Sequence, residues 1–71
     1  MSKYEPLWQY IKDNQKAEYK LSYEEIRNIL GFDIDHSFLT YKKELLEYGY
    51  EVKKISIKEK YVLFSAIQEG H

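Results

Sequence analysis

Residues able to do acid–base, nucleophilic or metal chemistry are few in this chain. Two histidines, His36 and His71, stand far apart, and the second falls in a tail expected to fray. No HxxxH or HExxH spacing occurs and there is no cysteine, so a transition-metal site lacks its usual ligands. Asp33, Asp35 and His36 are close enough in sequence to hold a cation. The same cluster suits the entry to a helix, where acid is favoured by the dipole. Ser22 and Ser37 fall where helix caps are needed. Gly31, Gly49 and Gly70 read as chain punctuation or tail, with no phosphate-cradling loop among them. No catalytic residue, metal ligand, cofactor or small-molecule substrate is assigned, and the chain is expected not to be an enzyme.

Recognition chemistry is better represented. Between Lys42 and Lys60 lie six lysines against Glu44, Glu47, Glu51 and Glu59, a local excess of +2, whereas residues 1–35 sum to -2. His36, Thr40, Lys42 and Lys43, followed by Lys53, Lys54, Lys58 and Lys60, are therefore the candidate contacts for double-stranded DNA. Arginine, the commonest reader of guanine edges, occurs only as Arg27. The same lysines also suit solvated faces and the protection of a sheet edge.

Eight tyrosines alternate with lysines, as stacking platforms do in single-strand binders. Most fall on the apolar stripe of their own element, which assigns them to the core. Tyr4 and Trp8, near the start of the first helix, are the candidate anchors of a homodimer or protein interface.

Seventy-one residues make one small domain, whose core alone supplies about 3–5 kcal/mol of net stability. The hydrophobic fraction is 44%. Without tyrosine it falls to about a third of the chain, so tyrosine rings must serve as walls with their hydroxyls on a partner or in water. The formal net charge of -1 gives no global pull toward a polyanion. The opening Met1–Pro6 lacks the apolar run of a signal peptide, and no stretch approaches the roughly 20 apolar residues of a membrane helix. The expectation is a cytoplasmic protein without membrane contact.

The elements that must position these residues follow from periodicity. Pro6 suits a first helical turn, and Leu7, Tyr10 and Ile11 recur at helical spacing with Trp8 beside them. Tyr4 folds back on that stripe. Glu18-Tyr19-Lys20-Leu21 alternates as a short strand. Ser22-Tyr23-Glu24-Glu25 is a capping box opening a helix through Ile26, Ile29 and Leu30, closed by Gly31. Asp35 or Ser37 caps a third helix whose stripe is Phe38, Tyr41, Leu45 and Tyr48, ending at Gly49. From Tyr50 the period becomes two, with a phase slip at Lys53-Lys54 that predicts a bulge. Lys58-Glu59-Lys60 is a turn, and Tyr61–Ile67 the last and most apolar strand.

The order helix, short strand, helix, helix, strand, turn, strand is that of an α+β, winged helix-turn-helix-like domain. It is expected to span residues 1–71, with an ordered core of about 4–67.

Taken together, Tyr4-Glu5-Pro6-Leu7, Leu21-Ser22-Tyr23-Glu24-Glu25-Ile26, Leu30-Gly31-Phe32, Ser37 and Tyr48-Gly49-Tyr50-Glu51-Val52 resemble a family of small bacterial and phage-associated domains of unknown function. That family has a YxPL opening and a helix–turn–helix-like centre. Its members carry a Trp-Trp-Asn segment after the serine, where this chain has Phe38-Leu39-Thr40-Tyr41-Lys42-Lys43. The resemblance implies a whole-domain module and carries over no catalytic residue. Two functions follow: a non-catalytic DNA-binding or regulatory domain, or a protein-interaction or homodimerisation module that leaves nucleic acid alone.

Overall fold

The computed structural model describes residues 2–67. The tail Gln68–His71, expected to fray, lies outside the described residues, and His71 with it. The architecture is α+β, with helices on one face of a three-stranded antiparallel sheet.

Helix α1 (Glu5–Asn14) has Pro6 in its first turn and stops at Gln15, which takes a left-handed conformation at φ 53°. It buries Leu7, Trp8 and Ile11. Tyr10, expected on the inner stripe, is instead 38% exposed, because Trp8 takes the inward position. Tyr4 folds back as expected and its ring is fully buried.

Strand β1 (Glu18–Ser22) leads directly into helix α2 (Tyr23–Leu30). The capping box forms in full: the Glu25 N–H donates to Ser22 Oγ at 3.0 Å, and the Ser22 N–H to Glu25 Oε1 at 2.8 Å. Gly31, at φ 88°, closes the helix.

The third helix differs from expectation. Helix α3 covers only Ser37–Tyr41, and Lys42–Tyr48 continues as a 3₁₀ helix up to Gly49. Three residues per turn align Lys42, Leu45 and Tyr48 on one side, with Leu45 fully buried. Tyr41, expected on the stripe, is left 39% exposed. The start is organised by Asp35, whose Oδ1 accepts the Ser37 N–H at 2.9 Å.

Strands β2 (Tyr50–Ser56) and β3 (Tyr61–Ala66) form a hairpin, and the sheet order is β1-β3-β2. The register shifts between Val52 and Lys54, so the phase slip read from the sequence is a bulge at Lys53. The turn takes in Ile57 as well as Lys58–Lys60, with Lys60 left-handed at φ 61°. Ser56 Oγ accepts the Glu59 N–H, and the Lys60 carbonyl accepts the Tyr23 N–H at 2.9 Å, which fixes the hairpin to the start of α2.

Twelve residues form the core, three of them tyrosines: Tyr4, Tyr19 and Tyr50. Their hydroxyls are all used. Tyr19 donates to the Ile11 carbonyl at 2.5 Å, Tyr50 donates to the Lys16 carbonyl at 2.8 Å, and Tyr4 shares a hydrogen bond with Ser37 Oγ at 2.7 Å. Ile11 is in the last turn of α1, where carbonyls have no helical partner, so Tyr19 supplies what the helix end lacks. Tyrosine here both walls the core and ties the α1–β1 connection to the sheet.

Candidate functional site

The acidic residues of the helical layer are mostly held in internal contacts. Asp35 Oδ1 also accepts from the Ser37 and Tyr4 hydroxyls, and its other oxygen pairs with Lys3 Nζ at 3.3 Å. The Ser37 hydroxyl and N–H hold its carboxyl well below the usual carboxylate range. Arg27 pairs with Asp33 at 3.7 Å. Both carboxylates of the Asp33, Asp35 and His36 cluster are therefore engaged within the chain, and among the described residues no group of three ligand-type side chains could hold a metal. Glu44 turns inward, accepting from Ser2 Oγ at 2.5 Å and from the Trp8 indole N–H at 3.1 Å. The Ser2 hydrogen bond, helped by Trp8 and opposed by partial burial, lowers its pKa.

These contacts correct the expected protein anchors. Tyr4 and Trp8 are both fully buried, so neither side chain offers surface to a partner. Their polar atoms are spent internally, on Asp35 and Ser37 for Tyr4 and on Glu44 for Trp8.

The candidate DNA contacts divide into two groups. His36, Thr40 and Lys43 are exposed on α3 and the 3₁₀ helix, while Lys42 is half-buried. Lys58 and Lys60 are exposed in the hairpin turn. Lys53 and Lys54 lie instead on the face of the sheet turned away from the helices, where Lys54 pairs across from Leu63. The bulge puts both on that side, so they do not share a surface with His36 and Thr40. None of these lysines forms an ion pair among the described residues.

Between α3 and the hairpin runs a groove of about 390 Å³, whose walls are apolar rather than basic. Tyr23, Ile34, Phe38 and Ile55 form its floor, with Leu39 (52% exposed) on one rim and Ile57 (78% exposed) on the other. Asp35 and His36 close one end. Ile57 continues the inward parity of Ile55, but it falls past the last paired residue of β2, so no core lies beneath it. Periodicity taken element by element pairs neither Leu39 with Ile57 nor α3 with the hairpin, so the groove was not legible that way. The signal available was an isoleucine immediately before a lysine-rich turn.

No helix among the described residues is long and apolar enough to cross a membrane. Comparison with family models, curated proteins and solved structures finds no match to this chain.

Proposed function

We propose that this chain is a non-catalytic binding domain of winged-helix-like organisation that pairs with a second copy of itself through the groove between α3 and the hairpin. The element order and the β1-β3-β2 sheet support the winged-helix reading, and the motif resemblance to the family of small bacterial and phage-associated domains is part of the same proposal.

The observation that carries the pairing is the adjacency of Ile57, a projecting isoleucine, and an apolar hollow on one molecule. A two-fold contact places each Ile57 in the partner's groove, the self-complementary arrangement of an isologous interface. The net charge of -1 opposes association very little. A standard interface takes about 800 Å² from each partner, roughly a sixth of the 5105 Å² this chain exposes.

Burying one isoleucine contributes about 1.5 kcal/mol or more, and a two-fold contact does so twice. Ile57→Asp should therefore weaken the dimer by about a hundredfold or more. Sedimentation across a concentration series is the test. Wild-type protein that stays a monomer at the highest concentrations ends the proposal, as does an Ile57→Asp variant that associates like wild type.

A second reading, contact with duplex DNA through His36, Thr40, Lys43, Lys58 and Lys60, is favoured by the exposure of these lysines and the absence of carboxylate partners among the described residues. It predicts a mobility shift on mixed duplex at low salt that Lys43→Ala/Lys58→Ala/Lys60→Ala reduces, with a shallower salt dependence. No shift at low salt ends this reading.

A further inference from the structure

The sheet face turned away from the helices is independent of the groove and has its own chemistry. Because Tyr19, Leu21, Val62 and Phe64 point into the core, alternation sends their neighbours to the opposite side. The cross-strand register arranges these in rows: Glu18–Ser65–Glu51, then Lys20–Leu63–Lys54, then Ser22–Tyr61–Ser56. The bulge adds Lys53, which borders a shallow hollow of about 350 Å³ with Glu18, Lys20, Leu63 and Ser65.

Two ammonium groups from the outer strands converge on one ring of the central strand. Lys20 Nζ lies 4.6 Å and Lys54 Nζ 5.9 Å from the centroid of Tyr61. Attraction to the ring offsets only part of their mutual repulsion. Among the described residues neither they nor Lys53 is paired with a carboxylate. Glu18 and Glu51 form the adjacent row beside Lys53, on the side of the lysines away from Tyr61, which leaves the face a net charge of about +1 with its positive end at Tyr61.

We propose that this face binds single-stranded nucleic acid. Lys20, Lys53 and Lys54 take successive phosphates, and a base lies against Tyr61 and Leu63. The charge complementarity is local, since the chain as a whole is nearly neutral. A flat surface with an aromatic and a leucine between lysines fits an unstacked base, which a duplex does not present.

The test is fluorescence anisotropy with a labelled oligothymidylate of about 10 nucleotides, a duplex of equal length, and inorganic polyphosphate as competitor. Three contacts at about 0.7 each give a slope near -2 in log affinity against log salt. Lys20→Gln/Lys54→Gln should bring that slope toward about -0.7 and lower affinity at low salt by about tenfold or more. Tyr61→Leu, which keeps an apolar side chain, should lose about fivefold or more with the slope unchanged. Lys12→Gln, exposed on α1 and outside both surfaces, should bind like wild type. The proposal is overturned by absence of binding at low ionic strength, or by a duplex that binds as tightly as the single strand. Polyphosphate competing equally per phosphate, or a double lysine variant indistinguishable from wild type, overturns it as well. Melting curves of each variant separate lost binding from lost fold.

Discussion

Replacing Tyr19 with phenylalanine removes one oxygen and leaves the ring, which tests whether tyrosine hydroxyls complete this small core. The ring is 5% exposed and packs 5.8 Å from Tyr50 and 6.4 Å from Tyr10, contacts that phenylalanine retains. The lost hydroxyl leaves the Ile11 carbonyl, in a buried hydrogen bond, without its donor, and the Lys16 N–H without its acceptor. An unsatisfied buried polar group costs about 1–3 kcal/mol. Taking about 2 kcal/mol against a total of about 3–5 kcal/mol, Tyr19→Phe loses close to half of the stability. For a domain of this size each kcal/mol moves the midpoint by about 4–8 °C, so the melt should fall by about 8–16 °C. Thermal melting followed by circular dichroism reads this directly. Tyr10→Phe, on a half-exposed ring, should shift it by less than about 0.5 kcal/mol. A Tyr19→Phe protein that melts within about 2 °C of wild type would falsify the assignment of a structural role to that hydroxyl.

Backbone conformation gives a pair of opposite effects. Gln15→Gly relieves a left-handed residue at φ 53° and should raise stability by about 0.5–1 kcal/mol. Gly31→Ala, where an added Cβ meets nothing but φ is 88°, should lower it by about 1–2 kcal/mol through strain alone. Urea midpoints decide both. For Glu44 and Asp35 the folded pKa lies below the unfolded one, so their contribution is full above the ordinary carboxylate range and is lost as pH falls from that range through the lowered folded values. Glu44→Gln should flatten the acid limb of a stability–pH curve, and an unchanged limb would contradict the Ser2–Glu44–Trp8 contact. Ile57→Asp should leave the unfolding free energy of the monomer, measured in urea at concentrations too dilute for pairing, within about 0.5 kcal/mol of wild type, because that side chain covers no core.

Local punctuation was the most legible part of the sequence. Ser22 and Glu25 form the capping box they spell, Gly31 and Gly49 end their helices, and the phase slip at Lys53-Lys54 is a bulge. These signals depend on residues a few positions apart. The 3₁₀ helix after Tyr41 was not legible, since Phe38, Leu45 and Tyr48 are compatible with either winding. Trp8 and Tyr10 flank the Leu7–Ile11 stripe of α1 on opposite sides, and the flank that turns inward is the one that meets Glu44, thirty-six residues away from Trp8. The candidate surfaces failed for a similar reason. Lys20 and Lys54 meet at Tyr61 only once β1 and β2 flank β3, and Tyr4 looks like an anchor until Phe32, Phe38 and Tyr41 close over it.

The central claim, that the groove between α3 and the hairpin is the surface where two copies meet, is tested most directly by nuclear magnetic resonance of nitrogen-labelled protein on dilution. Backbone amides of Ile34, Leu39 and Ile57 should shift with concentration, while those of Lys12 and Asp13 on α1 stay in place. Shifts confined to α1, or spectra that do not change with concentration, would contradict it.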